Sequence, residues 1–320
     1  MSKMTQTPSL LPFDDIRALL DEMPGFDVKS ANVFSAHNRQ PADRIAEIGR
    51  WMAGWQANAR PSIRRPVVAL FAASHGVAAH LDDGLQINQV SELVEEVQAR
   101  SGPVAKVCGR AELGLKVFEL ALELPVEDFS VGAAMAETDC AATIAYGMEA
   151  TTDGCDLLVV HGTASGGQAS TTAMSSALLG EENSLDEQRS PAEIEIVGKA
   201  VATHKSHFQS PLEVLRRLGG REAAAIAGAI VAARLQRVPV ILDGSQAVCV
   251  ALLLERLRQG TADHCVVSSH DLHPDSARLC KALDRPVLLS GSYGDHDGTS
   301  GALAAGVVKD VMAILDEPGD

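Results

Sequence analysis

The sequence predicts an α/β fold, a doubly wound parallel six-stranded sheet with helices on both faces. Three observations predict it. Six short runs rich in branched apolar residues recur along the chain: VVALFA (67–72), LKVFELAL (115–122), DLLVV (156–160), VPVILD (238–243), HCVVSS (264–269) and PVLLSG (286–291). Runs of this length bounded by turn residues read as strands buried on both faces. Segments with helical spacing lie between them, and strands alternating with helices are joined by crossovers into a parallel sheet. Finally, 46% hydrophobic and 22% charged residues over 320 positions allow a sizeable core.

The chain opens differently. SLLPFDDIRALLDEM (9–23) and ADRIAEIGRWMAGWQ (42–56) are two helical patterns with no strand between them. GALAAGVVKDVMAILDE (301–317) is a third, and it can join them from the far end of the chain. The expected organisation is a small helical domain from 1–60 plus 301–320 and a large α/β domain over 61–300. After the first strand, FAASHGVAAH (71–80) places Ser74 and His75 where a parallel sheet presents its ligand-binding loops. His75 there either meets a ligand or hydrogen-bonds the neighbouring loop. The helical segments SELVEEVQARS (91–101) and ETDCAATIAYGMEA (137–150) flank the second strand.

The third strand leads into HGTASGGQASTTAMSSALLG (161–180), where Gly162, Gly166 and Gly167 precede a helix opened by Ser170, Thr171 and Thr172. A glycine turn at a helix N-terminus presents amides and positive dipole to an anion, and phosphate is the natural guest. The spacing matches neither the dinucleotide fingerprint nor the P-loop. The acidic stretch GEENSLDEQRSPAE (180–193) reads as a solvated loop. REAAAIAGAIVAARLQ (221–236) and AVCVALLLERLRQ (247–259) are the next helices. SSHDLHPDS (268–276) then offers His270, Asp271, His273 and Asp275, and SYGDHDGTSGALAAG (292–306) adds Asp295, His296 and Asp297. Their spacing fits no standard zinc site, and such residues often cap helices, so no metal is expected.

A net charge of −15 repels nucleic-acid backbones and anionic membranes, leaving small molecules as the expected substrates. No apolar run approaches the ~20 residues of a membrane span and no secretory opening is present, so a cytoplasmic protein is expected. The six cysteines show no C-x-x-C pair and read as buried thiols of a reducing compartment.

At LGLKVFELALELP, ETDCAATIAYGMEA, SPLEVLRRLGGREAAAIAGAIVAARLQRVPVILDG and SGALAAGVV the sequence resembles the nicotinate-nucleotide:dimethylbenzimidazole phosphoribosyltransferases, as a divergent member. The resemblance covers most of residues 9–312. It implies a Rossmann-like sheet domain, a small domain of terminal helices, a homodimer or a pairing with another family member, and no cofactor. It also implies the chemistry. 5-Phosphoribose moves from nicotinate mononucleotide to dimethylbenzimidazole or a related aromatic base, giving α-ribazole phosphate for the lower ligand of cobalamin.

In the family, a Glu before the last helix takes the proton of the incoming base, and that position falls on Asp297 here, in DHDGTSGALAA. The same loop implies nucleotide contacts at Gly298 and Thr299. The family's phosphate loop matches HGTASGGQA, which keeps Gly166 and puts Gly167, Gln168 and Ala169 where the family has Asn-Thr-Thr. Gly166, Gly167 and Gln168 are therefore the implied phosphate contacts. The family's following Lys falls on Glu193, so the positive charge is expected from Lys199, Lys205 or a partner subunit. The base pocket is implied at Ser74, His75 and Glu92. Two alternatives stand beside this reading: a catalytically degenerate paralogue that binds a ligand or serves as a partner subunit, and a hydrolytic or metal-assisted reaction at His270, His273 and His296.

Overall fold

The structure is a computed structural model and describes residues 12–38, 43–82, 84–180, 189–293 and 297–315. Two helices near the start, α1 (Pro12–Asp21) and α2 (Val28–His37), precede α3 (Arg44–Trp55) and the first strand, β1 (Pro66–Ser74). Helices α4 (Ile87–Gln98) and α5 (Gly102–Ala111) lead to β2 (Gly114–Glu119), and α6 (Glu137–Gly147) leads to β3 (Leu157–Ser165). Four helices follow: α7 (Gly167–Leu179), α8 (Pro191–His204), α9 (Pro211–Leu218) and α10 (Arg221–Leu235). Next come β4 (Val240–Asp243), α11 (Gly244–Leu257), β5 (Cys265–Val267), α12 (Ser276–Leu283) and α13 (Thr299–Leu315).

The five strands are all parallel, in the order β2-β1-β3-β4-β5. The predicted sixth strand, 286–291, is not a sheet member. Val287 forms an isolated parallel bridge to Val267: the Val267 amide donates to the Pro286 carbonyl, and the Leu288 and Leu289 amides donate to the carbonyls of Val267 and Ser268. The reason is local: Pro286 has no amide to give, so the pairing cannot extend back along β5 and stays at a single bridge.

Alternation along the strands sorts the core onto two faces. Val67, Ala69, Phe71, Leu158, Val160 and Leu242 face one side, where α1, α6, α7, α9, α10 and α11 cover them. Val68, Leu70, Leu157, Val159, Ile241 and Val266 face the other, against side chains of α2, α3, α5 and α13. Thus α1 packs against α6 on one face, while α13 packs on α3, α5, β3 and β4 on the other. Glycines permit the closest helix contact: a Cβ on Gly228 of α10 would lie 1.8 Å from the Ile144 carbonyl oxygen of α6. All six cysteines are free thiols and five are buried. Burial pushes the Cys140 thiol up to about 12.

The strands do not end level, and this places the site. β3 pairs with β1 as far as Ser165 opposite Ser74, but with β4 only as far as His161 opposite Asp243. The residues HGTAS, read from sequence as loop, are therefore the end of a strand. Their pairing with β1 outweighs the weak strand preference of Gly and Ala. Beyond Asp243 the chain turns at Gly244 (φ +83°) into α11, leaving a step in the sheet where β3 projects past β4.

Candidate active site

A cleft of about 250 Å³ opens at this step. Its lining comes from segments that follow β1, β3, β4 and β5, at the carboxyl end of the sheet. That is where open parallel sheets bind ligands. The segment after β1 contributes Leu81 and Leu85, and the end of β3 contributes His161, Gly162, Thr163 and Ala164. Gly166, Gly167, Gln168 and Ala169 bring the start of α7 to the cleft. Gly244, Ser245 and Gln246 open α11 there, and Asp271 and His273 follow β5.

Gly166 has φ +80°, a conformation that costs a side-chain-bearing residue about 1–2 kcal/mol. A Cβ there would also press to 3.1 Å on His75 Cβ and 3.2 Å on Val77 Cγ1. The helix begins at Gly167, three residues before the predicted opening at Ser170. Amides of its first turn have no carbonyl one turn back to pair with, and the residues that carry them line the cleft. The hydroxyls are committed elsewhere: Ser170 Oγ donates to the Leu218 carbonyl (2.7 Å) and Thr171 Oγ1 to that of Gly167 (3.0 Å).

Glu193 also borders the cleft, but as part of a neutral cluster. Arg189 Nη1 lies 2.8 Å from Glu193 Oε1, and Arg189 Nη2 lies 2.8 Å from Asp275 Oδ2. Arg278 Nη1 approaches the other oxygen of Asp275 (2.9 Å). Thr172 Oγ1 donates to Glu193 (2.8 Å) and Ser175 Oγ to Asp275 (2.7 Å). Two cations balance two anions, so the carboxylate at the family's Lys position adds no net negative charge. Lys199 and Lys205, the expected sources of compensation, are exposed and away from the cleft lining.

Behind the cleft floor stands a second buried group. His75 Nε2 meets Glu222 Oε1 at 2.8 Å with both side chains fully buried. Gln246 Nε2 donates to the same oxygen (2.7 Å). Burial alone would push Glu222 up, yet the facing His75 charge and the hydrogen bonds from His75 and Gln246 outweigh it, so its carboxyl is held below the ordinary value. The carboxamide so fixed fills the space over Gly162, where a Cβ would fall 1.8 Å from Gln246 Oε1. His75 thus acts on the cleft through Glu222 and Gln246. Ser74 Oγ donates to the Leu122 carbonyl (2.7 Å) and Glu92 is exposed on α4, so neither lines the cleft.

Asp297 stands just before α13. Its Oδ1 accepts the Thr299 amide (2.9 Å) and its Oδ2 accepts Thr299 Oγ1 (2.8 Å). Gly298 (φ +80°) turns the chain tightly over Leu70, 2.5 Å from where its Cβ would be. One turn later, Gly301 lets α13 press on Asp243, with Asp243 Cβ 2.8 Å from its own Cβ position. The cleft lining omits Asp297, Gly298 and Thr299. Asp295 and His296 lie outside the described residues.

The structure adds two carboxylate contacts that the sequence reading missed. His161 Nδ1 lies 3.0 Å from Asp243 Oδ2 and 3.2 Å from the Asp243 carbonyl oxygen. Ser245 Oγ donates to Asp271 Oδ1 (2.6 Å), and the Ser245 amide donates to Asp271 Oδ2. The visible signal for both was LDGSQ, a strand ending on Asp and Gly at a helix start. Of the residues weighed for a metal, Asp271 and His273 reach the cleft, Asp275 is buried in the ion cluster, and His270 is exposed. Among the described residues no group of three or more His, Cys, Asp or Glu is placed to hold a metal ion.

A phosphoribosyltransferase family model matches residues 36–319. A nicotinate-nucleotide–dimethylbenzimidazole phosphoribosyltransferase from Agrobacterium fabrum is 40% identical over 95% of this chain and 92% of its own length. One from Allorhizobium ampelinum is 38% identical over 95% of this chain and 93% of its own. Among solved structures, the nicotinate-nucleotide-dimethylbenzimidazole phosphoribosyltransferase of Thermus thermophilus superimposes with a TM-score of 0.76 at 22% identity, covering 96% of each chain, a likeness of fold. Sequence identity of this extent, on a sheet that opens its cleft at the expected edge, shows that the chain belongs to the nicotinate-nucleotide–dimethylbenzimidazole phosphoribosyltransferase family.

Proposed function

We propose that the chain transfers 5-phosphoribose from nicotinate mononucleotide to dimethylbenzimidazole or a related benzimidazole-type base, producing α-ribazole phosphate. The observation that carries this reading is the tight turn at Gly166, with Gly167, Gln168 and Ala169 of the first turn of α7 lining the cleft. A phosphate dianion placed there takes main-chain hydrogen bonds and the positive end of α7. The Arg189 side chain offsets Glu193 beside it. Leu81 and Leu85 provide an apolar wall for an aromatic base. Two groups are candidates to take the base's proton: Asp297 just before α13, which the family resemblance implies, and His161 on β3, which the cleft adds.

No helix among the described residues is long and apolar enough to cross a membrane. A cytoplasmic homodimer completes the proposal, and sedimentation of the purified protein tests the dimer. The reaction is tested by incubating the folded protein with nicotinate mononucleotide and dimethylbenzimidazole and following α-ribazole phosphate by chromatography. Absence of product at high enzyme concentration overturns the reading.

A further inference from the structure

We infer that His161 is the proton acceptor of the transfer step and that Asp243 is its positioning residue, an inference that rests on the reaction proposed above. The argument starts from register. His161 and Asp243 are partners on adjacent parallel strands, at the last residue of β4. Both side chains are 2% exposed, and His161 lines the cleft. Asp243 is fixed from behind, since Ser268 Oγ donates to its Oδ1 (2.6 Å) and Gly301 of α13 packs against its side chain.

The tautomer follows from the partners. His161 Nδ1 faces two oxygens, a carboxylate at 3.0 Å and a carbonyl at 3.2 Å, and neither can donate. Nδ1 therefore carries the hydrogen, and the basic nitrogen of the neutral ring is Nε2. His273, the other cleft histidine, is arranged in the opposite sense. Its Nδ1 accepts the Asp275 amide (3.1 Å), so its hydrogen sits on Nε2, which faces the Gln168 carbonyl at 3.4 Å. A neutral His273 has no nitrogen left to receive a proton.

The described carboxylates of the site are committed too. Asp271 holds the Ser245 hydroxyl (2.6 Å), and Glu193 holds Arg189 and Thr172 at 2.8 Å each. Asp297 spends both oxygens on Thr299 and stands outside the cleft lining.

In the step, a lone pair on one azole nitrogen forms the new bond to the anomeric carbon. The bond from that carbon to nicotinate breaks, and its electron pair returns to the pyridine nitrogen. The hydrogen on the second azole nitrogen passes to His161 Nε2. The imidazolium so formed is stabilised by Asp243 across 3.0 Å. Among the described residues, the charged or titratable groups around it include Asp243 from β4, Asp271 and His273 after β5, and Glu193 on α8.

The test compares purified wild type, His161→Gln, His161→Gly, Asp243→Asn and Asp297→Asn, with folding checked by thermal melting. In His161→Gln, kcat should fall by about 10²-fold or more, KM for nicotinate mononucleotide should stay within about threefold, and the acid limb of the kcat profile should vanish. Asp243→Asn should lower kcat with the same small effect on KM. Added imidazole should restore turnover to His161→Gly, which a purely structural role would not allow. Nitrogen-15 spectra of wild type should show His161 protonated at Nδ1, a readout that needs no variant to fold. The inference is overturned if His161→Gln turns over within about threefold of wild type, if Nε2 carries the hydrogen, or if Asp297→Asn alone removes the acid limb. A wild type that makes no product at all brings down the proposed reaction and this inference together, whereas an active wild type indifferent to His161 brings down the inference alone.

Discussion

Replacing Arg189 by Met isolates the charge arrangement on which the proposed nucleotide binding in this cleft depends. The guanidinium is fully buried and touches Glu193 and Asp275 at 2.8 Å each. Asp275 keeps Arg278 and Ser175 when Arg189 is removed, but among the described side chains Glu193 keeps only the Thr172 hydroxyl. Stranding one buried carboxylate costs about 3 kcal/mol, the lower end for a broken buried pair. Unfolding entropy of about 2.1 cal/mol/K per residue gives about 0.7 kcal/mol/K for 320 residues, so Tm should drop by about 4 °C. The same carboxylate now repels the phosphate. For a phosphate bound about 8 Å from Glu193 and an effective dielectric of about 20, a unit charge pair would be worth about 2 kcal/mol, which would raise KM for nicotinate mononucleotide about thirtyfold. Arg189→Met with Glu193→Gln should recover most of both losses. Scanning calorimetry and initial rates read the two effects. A Tm within about 1 °C of wild type together with an unchanged KM would show that Glu193 is not neutralised by Arg189 and that no phosphate sits beside it.

Gly166→Ala should cost about 1–2 kcal/mol from its left-handed backbone alone, and more from the contact with His75 Cβ at 3.1 Å. Its clearest readout is a raised KM for the nucleotide, because the first amides of α7 shift with it; an unchanged KM would place the phosphate elsewhere. Asp297→Ala removes the side-chain bonds to Thr299 and should lower stability by about 0.5–2 kcal/mol, measured by denaturant titration. Asp297→Asn, which can still accept the amide, should reduce kcat by less than about tenfold if His161 is the acceptor.

Glu213 supplies a pH signature. The Arg216 hydrogen bond, opposed by partial burial and helped by Arg217, holds its carboxyl down at about 2 against an ordinary 4.5. A depressed native value means that the stabilisation is present above 4.5 and lost as pH falls from 4.5 towards 2. Glu213→Gln should therefore flatten the acid side of a Tm against pH curve. Parallel curves for the two proteins would refute the assignment.

Much of the fold could be read along the chain because its signals are local. Five of the six apolar runs are strands, and each was visible as a short branched stretch between turns. Gly166 and the helix after it were visible for the same reason, since a glycine at a strand end needs no distant partner to make its turn. The sixth run failed because a strand is defined by its neighbour, and Pro286 cannot donate the amide that would carry its pairing with β5 beyond one bridge. HGTAS failed in the opposite direction: small and polar residues became strand because β1 runs beside them to Ser74.

The site divides along the same line. Composition, charge and periodicity determined that this chain builds a parallel sheet with a glycine turn at its carboxyl edge, because those properties reside in neighbouring residues. Only the tertiary structure decided which side chains meet at that edge. His161 and Asp243 are 82 positions apart, Ser175 and Asp275 are 100 apart, and His75 and Glu222 are 147 apart. Proton-accepting and charge-balancing groups depend on orientation and separation to within a fraction of an ångström, and strand register and helix packing set those distances after the chain has folded.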